Sequence, residues 1–558
     1  MTGVCAPRTG GQLIVDQLLA QGVAHITCVP GESYLAVLDA LHDAAIDVMV
    51  CRNEGGAAMM AQAYGKLTGR PGICFVTRGP GATNASPGLH IAAQDSTPLI
   101  LFVGQVERAM MQREAFQELD YRAVFGSIAK WVVEIDRADR IPELVARAFR
   151  VAMQGRPGPV VIALPEDMLV ETASVADAPR VEPVAPAPEP HHMAQVQALL
   201  KAAERPLVIL GGTRWTPDAK TAFAAFAAAR ALPVATSFRR ADLFPAEHPC
   251  YVGDVGISPN PKLAQRVKDA DLLILVGARM SEMPSSSYTL IDIPVPGQRL
   301  VHVHPGAEEL GRVYQPTLAI QATPDTFVRA LNGLPAGAPG RWAHETQTAR
   351  TQYLDWTDAA PELPGPFQYG QVMVWLRETL PADAVICNGA GNYATWIHRF
   401  YRFRAGGVQL APTSGSMGYG VPAAIMAKRH FPDRTVIAFA GDGCFLMNGQ
   451  EFATAVQYGI PIIVVVVDNS MFGTIRMHQE REYPGRIYAS ALVNPDFVAY
   501  AHAFGGHGEL VERTQDFAPA LARARASGKP AILHCRLDPE AITPARTLSA
   551  IRAQALGR

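Results

Sequence analysis

The sequence predicts an α/β protein of three doubly wound parallel-sheet domains. Three observations carry this. Apolar runs of strand length alternate with helical stretches along nearly the whole chain. Proline-rich breaks at 178–190 and 335–341 divide the alternation into stretches of similar length. Loops rich in Gly, Asn and Asp follow the strand ends, where parallel sheets present their ligand loops. A chain of 558 residues has room for such a set, at roughly 150 residues per domain. The predicted boundaries are 1–182, 191–336 and 360–558.

In the first stretch the strands are Ile26–Val29, Val48–Cys51, Ile73–Val76, Leu99–Val103 and Val160–Leu164. Three loops follow strand ends and are expected to carry chemistry: Pro30-Gly31-Glu32-Ser33, Arg52-Asn53-Glu54-Gly55-Gly56 and Thr77 to Asn84. The second stretch has strands at Leu207–Leu210, Leu272–Val276 and Leu300–Val303, with Gly211-Gly212 behind the first. Two glycines after a strand read as a plain turn rather than a nucleotide loop. Trp342 to about Pro364 reads as a connection between domains, and the tail from Glu540 as helix-permissive and chemically silent.

The third stretch holds the most informative segment. Thr435–Ala440 reads as a strand ending in Gly441-Asp442-Gly443, Phe452–Tyr458 as a short helix closed by Gly459, and Ile460–Val467 as a second strand ending in Asp468-Asn469. Two strand ends of one sheet can bring the Asp442 carboxylate and the Asn469 amide oxygen to one small hard cation. Mg²⁺ suits this, because it takes few protein oxygens and fills its octahedron with phosphate and water. A Gly-Asp-Gly alone is more often an ordinary turn; the two flanking strands and the spacing single it out.

Composition narrows the remaining classes. With 49% hydrophobic and 18% charged residues the chain is globular rather than disordered. Its 49 basic and 51 acidic residues give no global field favouring nucleic acid or an anionic membrane. No apolar run approaches the ~20 residues that span a bilayer, and Met1–Gly10 lacks a secretory pattern, so a cytoplasmic location is expected. The eight cysteines form no Cys-x-x-Cys pair and read as buried reduced thiols. His191-His192 at a linker edge reads as solvated.

Gly441-Asp442-Gly443, then 24 residues, then Asp468-Asn469, resembles the thiamine diphosphate signature. Arg52 to Ala58, Gly79-Pro80-Gly81-Ala82-Thr83-Asn84, Phe116-Gln117-Glu118 and Ser414-Gly415-Ser416-Met417-Gly418 extend the likeness. Together they resemble the acetolactate synthase, pyruvate oxidase and 2-hydroxyacyl-CoA lyase group of thiamine-diphosphate enzymes. The resemblance implies a pyrimidine-binding first domain, a central domain and a diphosphate-binding last domain. It implies that Asp442, Asn469 and the Met471 carbonyl hold Mg²⁺. Gly391, Asn392, Gly441, Gly443 and Cys444 would line the diphosphate, Gly415 would accept from the pyrimidine amino group, and Met417 would wedge the cofactor. Glu54 would share a proton with the pyrimidine ring, and Gln117 would polarise a substrate oxygen. Glu32 would face the reactive carbon, and Phe116, Thr474, Ile475 and His478 would line the substrate pocket. Active sites shared between subunits of a homodimer or homotetramer are also implied.

One departure from that pattern is minor and three stand out, one of the three being His478 where acetolactate synthases carry a Trp that sets donor preference. Asp468 replaces an Asn beside the metal ligand. Met283, in Arg279-Met280-Ser281-Glu282-Met283, stands where relatives that join two 2-oxo acids carry an Arg, and a thioether cannot make a bidentate pair with a carboxylate. The same run borders FAD in those relatives, so Met283 counts against a bound flavin, which the resemblance otherwise allows. Glu32 is unusual beside the reactive carbon; its bland reading is a helix cap. The expectation is a decarboxylase or carboligase that makes an acyl-carbanion equivalent from a 2-oxo acid and passes it to an aldehyde, a 2-oxo acid or a proton. A 2-hydroxyacyl-CoA lyase, an aldehyde lyase and a cofactor-binding regulator without turnover are the alternatives.

Overall fold

The structure, a computed structural model, describes residues 6–335 and 337–557. Cys5 lies outside the described residues; the other seven cysteines are buried. The chain forms three six-stranded parallel sheets. Contacts divide it into two compact units, one gathering the chain up to Val184 with Val421–Phe431 and Asn448–Ile460, the other the remainder.

The first unit holds β1 (His25–Cys28), β2 (Asp47–Val50), β3 (Gly72–Val76), β4 (Leu99–Gln105), β5 (Trp131–Glu134) and β6 (Pro159–Pro165). Their order across the sheet is β2-β1-β3-β4-β6-β5. β3, β4 and β6 are buried along their whole length, as parallel strands covered on both faces must be. Alternation divides the faces. Ile26, Phe75, Phe102 and Ile162 join one core with the helices Gly10–Ala20 and Ile141–Met153. On the other face the Thr27 hydroxyl donates to the Ala57 carbonyl of the helix Glu54–Thr68, at 2.8 Å. That helix packs on Ser86–Asp95, and a buried Lys66–Asp95 ion pair of 2.8 Å ties the two.

The second unit carries two sheets. The central one contains β7 (Pro206–Leu210), β8 (Val234–Ser237), β9 (Tyr251–Val255), β10 (Leu272–Val276), β11 (Arg299–His304) and β12 (Leu318–Gln321), in the order β9-β8-β7-β10-β11-β12. Counted from its own first strand this is 3-2-1-4-5-6, the order of doubly wound nucleotide-binding sheets. Gly211-Gly212 and Gly277 meet where that order reverses. Gly277 has a left-handed φ of 71°, and a Cβ there would lie 2.5 Å from the Gly211 carbonyl. Close approach of two backbones therefore accounts for these glycines. The stretch after Trp342, expected as a connection between domains, forms a helix, Ala343–Thr357, whose end meets Arg377, Arg399 and Arg402 of the last domain. Ala349 and Tyr353 sit in the central domain's cores, and Arg350 donates to the carbonyls of Ala246 and Tyr251.

The last sheet comprises β13 (Val385–Asn388), β14 (Val408–Leu410), β15 (Val436–Gly441), β16 (Ile463–Asp468), β17 (His507–Val511) and β18 (Ala531–Arg536). Its order, β14-β13-β15-β16-β18-β17, repeats that of the first sheet. The helix between β15 and β16, Phe452–Gln457, forms as the sequence predicts, and Gly459 closes it at φ 59°. It nonetheless belongs to the first compact unit, where the Tyr458 hydroxyl meets the Val48 and Val50 backbone. Among the described residues no helix is long and apolar enough to cross a membrane.

Candidate active site

In the second unit the adjacent strands β14, β13, β15 and β16 deliver their following loops to one cavity of about 250 Å³. Gly391, Asn392, Gly415, Met417, Gly441, Asp442, Gly443, Cys444, Asn469, Met471, Thr474 and Ile475 all line it. His478 lies one helical turn beyond Thr474 and is not part of that lining. The tail is not silent: Ala541 and Ile542 line the same cavity, and the Ile542 carbonyl accepts from the Asn392 amide at 3.0 Å. The Asn392 Oδ1 in turn accepts from the Thr474 hydroxyl at 2.9 Å, so protein groups occupy both ends of this amide. Tyr393, unremarked in sequence, braces the wall by accepting from the Gly389 N–H at 2.9 Å. Glycine is required at 443, where a Cβ would sit 2.6 Å from the Phe472 ring.

The Asp442 carboxylate is held from one side. Its Oδ2 accepts from the Met471 N–H at 3.2 Å and from the Asn494 amide at 2.8 Å. Burial, with the Asp468 charge nearby, pushes its pKa up to about 6; a dication opposite would reverse that direction. Asp468 is desolvated too, yet the His534 ring, the Ser470 N–H and Asn494 hold it down to about 2. Asn494 reaches this place because residues 490–492 run antiparallel beside 470–472. Phe472 N–H donates to Ser490 at 2.8 Å and Leu492 N–H to Ser470 at 2.9 Å. No spacing in the sequence announces Asn494; the one visible signal was the carboxylate at 468.

The helix Gly473–Glu482, which carries Thr474 and Ile475, is fastened to the C-terminal helix Leu548–Ala555 through Glu480. This carboxylate is 0% exposed and lies 2.5 Å from Arg552 and 3.0 Å from Arg476. Arg552, ahead of burial, which opposes it, lowers its pKa to about 2. A depressed folded-state pKa means that the unfolded chain binds the extra proton first. The stabilisation is therefore complete above the ordinary value of 4.5 and is lost as pH falls from 4.5 towards about 2. Glu480→Ala should cost ~1–3 kcal/mol in urea unfolding at pH 7, because it leaves Arg476 and the partly exposed Arg552 without their shared carboxylate. The difference from wild type should shrink below pH 4.

In the first unit the residues expected to act come from the loops after β2, β1, β3 and β4, which are neighbours in the sheet. Glu54 is the first residue of its helix, and its Oε2 accepts from Asn84 at 3.0 Å. Glu32 opens a short 3₁₀ turn without making a side-chain cap. It is exposed and pairs with Arg78 at 3.2 Å; its own backbone N–H and Arg78 lower its pKa. Gln117 has a left-handed φ of 65°, and its Oε1 is buried without a partner. Phe116 is 74% exposed.

One residue that sequence reasoning missed organises this edge. Glu451 is 0% exposed and accepts from the N–H groups of Arg52 and Asn53 at 3.0 and 2.8 Å and from the Thr454 hydroxyl at 2.6 Å. Burial raises its pKa. It thereby sets the turn from which Glu54 projects. Gly56 leaves room for it, since a Cβ there would lie 2.6 Å from Glu451 Oε1. Gly56→Ala should destabilise the fold by ~1–3 kcal/mol, read as a lower urea midpoint at unchanged slope.

Each of the three sheets overlaps a region matched by a family model. Residues 8–124 match the thiamine pyrophosphate enzyme N-terminal TPP binding domain, 193–331 the central domain and 389–535 the C-terminal TPP binding domain. The chain is 30% identical to the acetolactate synthase isozyme 2 large subunit of Escherichia coli K12 over 548 residues, 95% of each chain. It is 33% identical to the acetolactate synthase large subunit of Parasynechococcus marenigrum WH8102, covering 95% of this chain and 88% of that one. To the probable acetolactate synthase large subunit of Methanocaldococcus jannaschii it is 30% identical, covering 96% and 93%.

Proposed function

The chain belongs to the thiamine pyrophosphate enzymes, and we propose that it is an acetolactate synthase-like carboligase that decarboxylates a 2-oxo acid with thiamine diphosphate and Mg²⁺. The acyl unit passes to an aldehyde, a second 2-oxo acid or a proton. The observation that carries this is the single cavity that gathers Asn392, Asp442, Asn469, Gly415 and Met417 from four strand ends. When bound, the cofactor supplies a carbon nucleophile that adds to carbonyls and stores the electron pair left by CO₂.

The residues present fit that group. Asp442 with one oxygen held by protein donors would join the Asn469 amide oxygen and the Met471 carbonyl in a hard oxygen set of the kind Mg²⁺ takes beside phosphate. Gly391, Asn392, Gly441, Gly443 and Cys444 would line the diphosphate, Gly443 and Cys444 through their N–H groups. The Gly415 carbonyl would accept from the pyrimidine amino group, and the Met417 side chain would pack against the cofactor. Glu54, one oxygen fixed by Asn84, would give and take a proton at the pyrimidine nitrogen. Gln117 has a free buried acceptor for a substrate hydroxyl; Glu32, Phe116, Thr474 and Ile475 would bound the substrate, with His478 further out. The resemblance supports a homodimer or homotetramer in which Glu54 of one subunit serves cofactor held by another.

Mass spectrometry of products from the holoenzyme with mixed 2-oxo acids and aldehydes tests the proposal; CO₂ release and ligated products that require added thiamine diphosphate are expected. The absence of any turnover across the panel would leave a cofactor-binding protein. The 3-2-1-4-5-6 order of the central sheet favours a second reading, a 2-hydroxyacyl-CoA lyase or a flavin-bearing relative, because it is the order of nucleotide-binding sheets. Acyl-CoA cleavage in the same panel, or flavin absorbance of purified protein, would select it.

A further inference from the structure

We propose that Asn494 is a positioning residue for the metal ligand Asp442, and that the Asp468–His534 pair exists to hold Asn494. The inference rests on the cofactor reading above and deepens it. The two hydrogens of one amide are divided between two carboxylates: Asn494 Nδ2 lies 2.8 Å from Asp442 Oδ2 and 2.8 Å from Asp468 Oδ1. Asp468 has no freedom to drift. Its Oδ1 also accepts from the Ser470 N–H at 2.8 Å and hydroxyl at 3.2 Å, and its Oδ2 meets His534 Nε2 at 2.9 Å. His534 is itself buried on β18, against the edge of Phe497.

The consequence for Asp442 is directional. With Oδ2 occupied by Asn494 and the Met471 N–H, the carboxylate cannot turn to present both oxygens, and Oδ1 is the one left to face a cation. An amide suits the position between two carboxylates, since it satisfies both without adding a third charge. The Asn494 Oδ1 is buried and has no protein partner, so this side chain is kept for its donors rather than for a bond of its own. Partners that orient a metal's ligand typically affect affinity by about 10–100-fold.

The test is titration of apoenzyme with Mn²⁺ at saturating thiamine diphosphate, followed by electron paramagnetic resonance, with metal-free thermal melting alongside. Asn494→Ala should raise the half-saturating Mn²⁺ concentration about 10–100-fold. Asn494→Leu, which keeps nearly the same volume and removes the donors without adding charge, should also weaken binding at least ~10-fold. Asp468→Ala should follow Asn494→Ala. Asp468→Asn keeps an oxygen acceptor for the amide and should stay within a few-fold of wild type. The metal-free melting midpoint of Asn494→Leu should stay within a few degrees of wild type, which a purely structural role would not allow. Mn²⁺ affinity within twofold of wild type in both Asn494 variants overturns the proposal. Failure of wild type itself to bind Mn²⁺ with thiamine diphosphate would instead overturn the cofactor reading.

Discussion

Glu54→Gln is expected to lower CO₂ release from a 2-oxo acid by about 10²–10⁴-fold, the range associated with loss of a general acid–base group. The substitution is nearly isosteric, and its side-chain oxygen can still accept from Asn84, which lies 3.0 Å from the Glu54 carboxylate. The N-cap bond from Gly55 to Asn53 is untouched, so the start of the helix should survive. What is lost is the ability to exchange a proton. Thiamine diphosphate affinity, measured by calorimetry, should therefore change only a few-fold while turnover collapses. Equal turnover in the variant would remove Glu54 from the mechanism and return it to the status of a helix-start carboxylate.

Asp442→Ala should abolish the calorimetric signal for thiamine diphosphate plus Mg²⁺, a loss of more than about 100-fold. Outer-shell partners of a metal ligand already cost ~10–100-fold, and the ligand itself should exceed them. The variant also leaves the Met471 N–H and one Asn494 hydrogen without their acceptor. Asp442→Asn separates the two effects, because an amide can keep one of those bonds while carrying no charge. It should bind more weakly than wild type and more tightly than the alanine variant. Retained binding in Asp442→Ala would move the metal site elsewhere in the chain.

Much of the last domain's chemistry was readable because its signals are local. Gly441-Asp442-Gly443 and Asn469 each sit at the end of an apolar run, and a strand end is the place where a loop must leave the sheet. Thr474 and Ile475 were placed by register along one helix, and both line the cavity. The same register puts His478 one turn beyond Thr474 on that helix, outside the cavity lining. The edge strands Trp131–Glu134 and Leu318–Gln321, only part-buried, lacked the continuous apolar pattern that betrays central strands. The tail's part was not legible because its contacts, the Ile542 carbonyl with Asn392 and Arg552 with Glu480, join positions far apart in the chain.

The sequence by itself determined the α/β class, the three-domain plan and the identity of the residues at the ends of individual strands, since periodicity and loop composition act over a few neighbouring positions. Only the tertiary structure decided that the strand orders bring those ends together. It alone placed Glu451 beneath the turn leading to Glu54, and Asn494 between Asp442 and Asp468. Parallel strands pair across long separations, and a buried carboxylate takes whichever donor the fold brings within 3 Å. Neither choice leaves a spacing that can be counted along the chain.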